Sequence, residues 1–260
     1  LPDKKIYTSK EEFCDKFNLD YEKPTVFVML HAMNDDPHYL IQNCYVDFYE
    51  WFMDTLEQAK KLESYNWIFK QHPSLKNYTE DSNVRGIMYT INRKHIVYFD
   101  ENHSFNSSSI QYLADVILTS GGTSALEYSC WGVPAIVTCE NVYSGYEIVN
   151  IAKTKEEYHQ LLSSIGNLEK LSEDVIDKAK ILFYLTMGVA YAGLHEGILK
   201  SRNWEEAGCA NSNEVLHEYI EFHDKQDPES ITRVKNMIAH ITEGQYSEEP
   251  RDMYLDFSII

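Results

Sequence analysis

Residues 115–138 (DVILTSGGTSALEYSCWGVPAIVT) constrain this chain more than any other stretch. Val116 to Leu118 is a short apolar run that reads as a buried strand. Ser120, Gly121, Gly122, Thr123 and Ser124 form a small hydroxyl-rich turn, and residues 125–131 then carry helical spacing. Gly132 ends that helix and Pro134 blocks its continuation. Residues 135–137 are apolar and β-branched enough to open another strand. Strand, glycine turn, helix, strand is one winding of a parallel α/β sheet. The turn then falls at the carboxyl end of its strand, where such sheets take ligands. It also opens a helix whose free N–H groups and dipole favour an anion. Glycines let the backbone approach a ligand closely, and the hydroxyls of Ser120, Thr123 and Ser124 can donate to phosphate oxygens. Glu127, on the first helical turn, has reach toward a ribose hydroxyl. A Ser/Thr/Gly turn before a helix is equally an ordinary N-cap. The turn matches neither the P-loop nor the Gly-x-Gly-x-x-Gly dinucleotide fingerprint.

The other strands support a single sheet. Residues 24–30 (PTVFVML) read as a buried strand, followed by the polar loop of His31, Ala32, Met33, Asn34, Asp35, Asp36, Pro37 and His38. Residues 45–62 place Phe48, Phe52, Leu56 and Ala59 at helical spacing, an apolar stripe facing a core. Residues 66–70 (NWIFK) form a second strand that runs into Gln71, His72 and Pro73. Proline after His72 keeps that residue extended, so its imidazole is presented by a stiff backbone. The ring can donate to a phosphate oxygen or cap a loop carbonyl. Residues 95–99 read as a third strand. A polar loop follows at residues 100–109, then a brief helix at 110–114 with Ser107 or Ser108 as its cap. Residues 139–146 form one more polar loop, residues 148–152 a last short strand, and Thr154 with Glu157 a capping box that opens a helix to about residue 165.

Residues 1–23 are polar, with a short amphipathic piece around Glu11 to Phe17, and read as a connecting segment or the remnant of a missing N-terminal half. Residues 24–170 form the Rossmann-like domain, and residues 171–260 a helical extension with helices at 172–191, 213–223 and 230–241. His195, His217, His223 and His240 do not share a helical face at metal spacing, so no metal is expected. The 260 residues carry a net charge of −18, which disfavours a nucleic-acid partner. A local phosphate site remains compatible with it. The five cysteines are scattered, and they point to a reducing compartment. No run of 18 apolar residues is present, so no transmembrane segment is expected.

The polar loops at His31, His72, residues 100–109, Ser120 and Asn141 all follow strands, and a parallel sheet gathers them on one edge. Three stretches then carry a resemblance: residues 70–73 (KQHP), residues 113–127 (LADVILTSGGTSALE) with 131–135 (WGVPA), and residues 143–145 (YSG). Together they resemble the nucleotide-sugar half of bacterial capsule polysaccharide biosynthesis glycosyltransferases. Those are GT-B enzymes related to the capsule Kdo transferases. The His-Pro and Ser/Thr-rich pair is also similar to bacterial sialyltransferases that use CMP-sugars. The likeness spans about residues 24–165. It implies a Rossmann-like parallel sheet flanked by helices, the C-terminal half of a GT-B glycosyltransferase, and a CMP- or UDP-activated sugar donor with a glycan or glycolipid acceptor. It implies that Lys70 and His72 face the donor, with His72 on its phosphate. Ser120 to Ser124 would hold phosphate, Glu127 would bind ribose or the base edge, and Tyr143, Ser144 and Gly145 would border the sugar. His31, Asp35 and Asp36 would face the cleft, with Asp35 or Asp36 as the base. No cofactor or metal is required, since the helix dipole, His72 and hydroxyls can take the leaving charge. The setting implied is cytoplasmic, with peripheral association at the inner membrane face. A departure is that residues 1–23 are too few for the acceptor-binding half. The alternatives are a non-hydrolysing nucleotide-sugar epimerase on the same scaffold, or a non-catalytic nucleotide-binding or scaffold module.

Overall fold

A computed structural model describes residues 4–33, 43–73, 75 and 83–189. The chain divides into two compact units, Leu1–Ile181 and Leu182–Ile260. The first unit holds a six-stranded sheet in the order β3-β2-β1-β4-β5-β6, every pair parallel. Its strands are β1 (Thr25–Met29), β2 (Asn66–Lys70), β3 (Ile96–Phe99), β4 (Val116–Thr119), β5 (Ala135–Val137) and β6 (Asn150–Ile151). The central strands are nearly continuous apolar runs because both faces are covered, as parallel sheets require.

One face packs on α2 (Phe48–Lys61). Val26, Val28, Trp67, Phe69, Val116 and Leu118 meet Phe48, Trp51, Phe52, Leu56 and Ala59, all of them buried. Removing each of these larger side chains from water contributes about 1.5–3 kcal/mol. The opposite face packs on an aromatic cluster built around Phe27. Phe13 and Phe105 lie 6.2 and 5.9 Å from its ring, and Phe99 sits 4.8 Å from Phe105.

Phe13 belongs to α1 (Lys10–Phe17), which corrects the expectation of a connecting segment. Ser9 caps this helix by accepting the Glu12 N–H, Asn18 closes it in the left-handed region at φ 55°, and Phe13 is fully buried. The amphipathic piece expected around Glu11 to Phe17 is this helix, and its eight residues are too few for periodicity alone to show that it packs on the sheet.

Elsewhere most elements lie close to the expected positions, but a helix stands at Val84–Tyr89, where the polar sequence around Gly86 reads as an irregular stretch with a short strand or turn. After α3 (Val84–Tyr89) and β3, a 3-10 turn at Ser107–Ser109 runs into α4 (Ile110–Leu113). The turn is capped by Asn106, which accepts the Ser108 N–H, while the N-cap position of α4 is Ser109, without a side-chain cap bond, rather than the expected Ser107 or Ser108. Helix α5 (Ser124–Ser129) follows the glycine turn, and Gly132 beyond it sits at φ 79°, a conformation open to glycine at no steric cost. Thr154 caps α6 (Lys155–Ser163) by accepting the Glu157 N–H, and Glu157 reaches back to the Lys153 N–H, one residue before the expected one. The long helix expected at 172–191 is α7 (Glu173–Phe183), followed by a π-helical turn, Tyr184–Val189. The helices expected at 213–223 and 230–241 lie outside the described residues.

Candidate functional site

The strand order reverses between β1 and β4, β1 leading on to β2 on one side and β4 to β5 on the other, and parallel sheets take ligands in the crevice at the carboxyl ends beside such a point. His31 lies just beyond β1. Its ring stacks on Phe48 with centroids 4.0 Å apart and planes 7° from parallel, and it meets the edge of Trp51 at 5.9 Å. Its Nε2 is 2.9 Å from Oγ1 of Thr119, the last residue of β4. The same Thr119 oxygen accepts the N–H of Gly122 at 3.1 Å. A β-carbon on Gly122 would stand 2.8 Å from that oxygen and 3.4 Å from Cε1 of His31, so close approach alone demands glycine there.

His31 keeps part of its surface open, but its ring is walled by aromatic groups. That burial pulls its pKa down to about 3, with the nearby His72 as the second cause. The imidazole is therefore neutral across the ordinary pH range. His72, beyond β2, is half-buried, and Pro73 after it is exposed. The Gln71 side chain donates to the His31 carbonyl at 3.5 Å and accepts from Tyr98 Oη at 3.2 Å, which ties the β1, β2 and β3 ends together.

The glycine turn is braced from outside itself. Ser120 is fully buried, its Oγ bonded to Thr138 Oγ1 at 3.1 Å and accepting from Asn43 Nδ2 at 3.3 Å. Its carbonyl accepts the Thr138 N–H and the Cys139 thiol. That hydroxyl supports the turn rather than facing a ligand. Asn141 donates to the Gly121 carbonyl, and Tyr143 Oη donates to the Gly122 carbonyl at 3.1 Å. Tyr143 is fully buried, which raises its pKa, and Ser144 Oγ accepts the Asn141 N–H at 2.8 Å. Tyr143 and Ser144 thus fasten their loop, and of the three expected at the sugar only Gly145, at φ 84° with open space around it, lies exposed.

Two hydroxyls remain on the outward side. Thr123 is exposed and Ser124 half-buried. Thr123 occupies the N-cap position of α5 yet makes no side-chain cap bond. The simple N-cap explanation of this turn therefore does not account for the Thr123 hydroxyl.

Lys70 and Glu127 occupy the same rim. Burial pulls the Lys70 pKa down to about 8, Lys4 adds to that, and Glu127 opposes it. Burial raises the Glu127 carboxyl, and Lys70 opposes that shift in turn. A partly desolvated ammonium beside a partly desolvated carboxylate offers one strong donor and one acceptor to a ligand. Asp35 and Asp36 lie outside the described residues. No three His, Cys, Asp or Glu side chains are grouped to hold a metal among the described residues.

Sequence reasoning placed His31, His72 and the glycine turn at one edge, and the structure brings them together there. It missed Thr119 and Asn43, which shape the turn, and it placed Asn141 at that edge without its bracing bond to Gly121. A threonine closing an apolar, β-branched run was the one available signal for Thr119.

Fold and site together define an α/β protein with a polar crevice at the switch point of a Rossmann-like sheet. No protein-family model and no curated protein matches the chain. Among solved structures it is similar to the wall teichoic acid polymerase TagF, at 13% identity over 66% of this chain and 41% of that one, with a TM-score of 0.40. A Methanocaldococcus jannaschii UDP-GlcNAc 2-epimerase, in complex with UDP-GlcNAc and UDP, matches at 15% identity over 68% and 49%, with a TM-score of 0.42. Thermosulfurimonas dismutans KpsC, a beta Kdo 2,4 transferase, matches at 13% over 60% and 43%, with a TM-score of 0.34. The chain spans less than half the length of each. At such identities and TM-scores these likenesses carry no argument about what this chain does.

Proposed function

We propose that this chain is the donor-binding half of a GT-B-type glycosyltransferase that takes a sugar activated by CMP or UDP and serves a growing surface polysaccharide. The observation that carries the reading is the meeting of His31, His72 and the Gly121–Gly122 turn at the sheet's switch point, with the Thr123 hydroxyl turned outward. The first N–H groups of α5, the hydroxyls of Thr123 and Ser124, His72 and Lys70 offer donors to a phosphate. Glu127 offers an acceptor to a ribose hydroxyl.

Transfer breaks the bond between the anomeric carbon and the phosphate oxygen, and charge gathers on the leaving phosphate. Preorganised donors at the crevice stabilise that charge more than they stabilise the intact donor, which is the condition for catalysis. The acceptor hydroxyl attacks the anomeric carbon and gives its proton to a base, for which Asp35 and Asp36 are the candidates within this chain. Among the described residues no helix is long and apolar enough to cross a membrane. In this reading the chain works in the cytoplasm, against the inner membrane face where glycolipid acceptors are presented.

The test is a thermal-shift panel of CMP, CDP, UDP and GDP on the full chain. A rise in melting temperature with a cytidine or uridine nucleotide supports the reading, and no shift with any of them removes it. Incubation with UDP-N-acetylglucosamine alone then discriminates the chemistry, because a product formed without acceptor would mean epimerisation.

A further inference from the structure

We infer that His31 is a positioning residue for the phosphate turn, acting through Thr119, rather than a group that touches the ligand. This deepens the donor-binding reading and rests on it.

Thr119 is buried, so its hydroxyl proton needs an acceptor within the protein. Of the two polar atoms bonded to its Oγ1, the Gly122 amide can only donate. The proton therefore goes to Nε2 of His31, 2.9 Å away, which fixes that imidazole as the Nδ1–H tautomer. Thr119 then holds two lone pairs toward the turn, and one of them takes the Gly122 N–H. The result is a relay from the face of Phe48, through the imidazole and the threonine hydroxyl, to the second glycine of the turn.

The relay has little freedom. Stacking on Phe48 and the edge contact with Trp51 set the ring plane. Gly122 lies so close that a methyl group there would meet both Thr119 Oγ1 and His31 Cε1. A protonated ring would carry hydrogen on Nε2 and turn the Thr119 hydroxyl away from it. The aromatic enclosure that keeps His31 neutral therefore also keeps the relay intact. His72, half-buried beside it, remains the imidazole that can meet an anion.

The experiment combines nucleotide titration with a ligand-free readout on the full chain. His31→Leu and the near-isosteric Thr119→Val should each weaken CMP or UDP binding by about tenfold, the loss of one buried hydrogen bond with its partner left unpaired. The double variant should lose no more than either single one, because both cut the same relay. His31→Gln, whose amide oxygen can accept the threonine proton, should recover most of the affinity. Without ligand, the Gly122 amide should exchange faster in His31→Leu and Thr119→Val than in the parent or His31→Gln. Nitrogen-15 spectra of the parent should show the hydrogen on Nδ1. Additive losses would mean direct contact of His31 with the ligand, and parent-like affinity in His31→Leu would leave the residue only a packing role. Either result, or hydrogen on Nε2, overturns the inference. If the parent binds neither nucleotide, the donor-binding reading fails, and Gly122 exchange together with the tautomer still decides the relay.

Discussion

Lys70 carries a charge that the fold holds at a cost. Its pKa falls from the usual 10.5 to about 8 on folding, chiefly through burial. The folded chain thus binds fewer protons than the unfolded chain between those values, and stability rises with pH across that window. Below about pH 8 the whole penalty stands. Lys70→Met should therefore stabilise the protein at pH 7, by about 1–2 kcal/mol once partial exposure and the loss of Glu127's partner are discounted. The gain should vanish by about pH 11, above the ordinary lysine pKa, as urea denaturation at several pH values would show. A cation kept at such a cost on the ligand rim fits a site shaped by function. Gly122→Ala belongs to the same scale. Its new methyl would drive the Thr119 hydroxyl from its place, so nucleotide affinity and melting temperature should fall together. Gly122 and His72 also mark what the sequence revealed. Glycine in a strand-to-helix turn announces close backbone approach, and a histidine before proline announces a stiff presentation. Ser120 was legible only as one more hydroxyl in that turn. Its burial depends on Thr138 and Asn43, which reach it from distant parts of the chain, and no local pattern encodes that.

Strands buried on both faces write themselves as apolar runs, which is why β1, β2 and β4 were legible almost to the residue. The helices divide by length. Helix α2 has fourteen residues and a full apolar stripe, whereas α1 has eight residues, and its packing role appears only where Tyr7, Phe13, Phe99 and Phe105 meet on the other face of the sheet. The start of α2 matters to the site, because Phe48 and Trp51 on its first turns enclose His31. Asp47 caps that start, its Oδ1 accepting the Glu50 N–H at 2.7 Å. Asp47→Ala should cost about 1 kcal/mol of stability, read from the urea midpoint. It should also speed hydrogen exchange in the first turn of α2. Unchanged exchange there would mean that packing alone holds the helix end.

At the scale of the molecule, a chain of net charge −18 carries a crevice proposed to take an anion. Distant charges are screened within about 10 Å at 0.1 M salt, while contacts inside the crevice are screened far less. Raising salt from ~50 to ~200 mM should thus speed nucleotide association or leave it unchanged, whereas a nucleic-acid binder loses affinity steeply over that range. Stopped-flow mixing with a fluorescent nucleotide would read the rate. The parallel sheet and the gathering of polar loops on one edge were visible in the order of apolar runs and loops, whereas the strand order that sets the switch point was not. The tightening of those loops around one turn was not, because it depends on side chains far apart in sequence.

Calorimetric titration of CMP and UDP into the parent, His72→Ala and Thr123→Ala tests the central claim most directly. The account predicts binding of one nucleotide by the parent and a loss of roughly ten- to a hundredfold in each variant, as expected when a hydrogen bond to a charged group is removed. Variants that bind as tightly as the parent, or a parent that binds neither nucleotide, would contradict it.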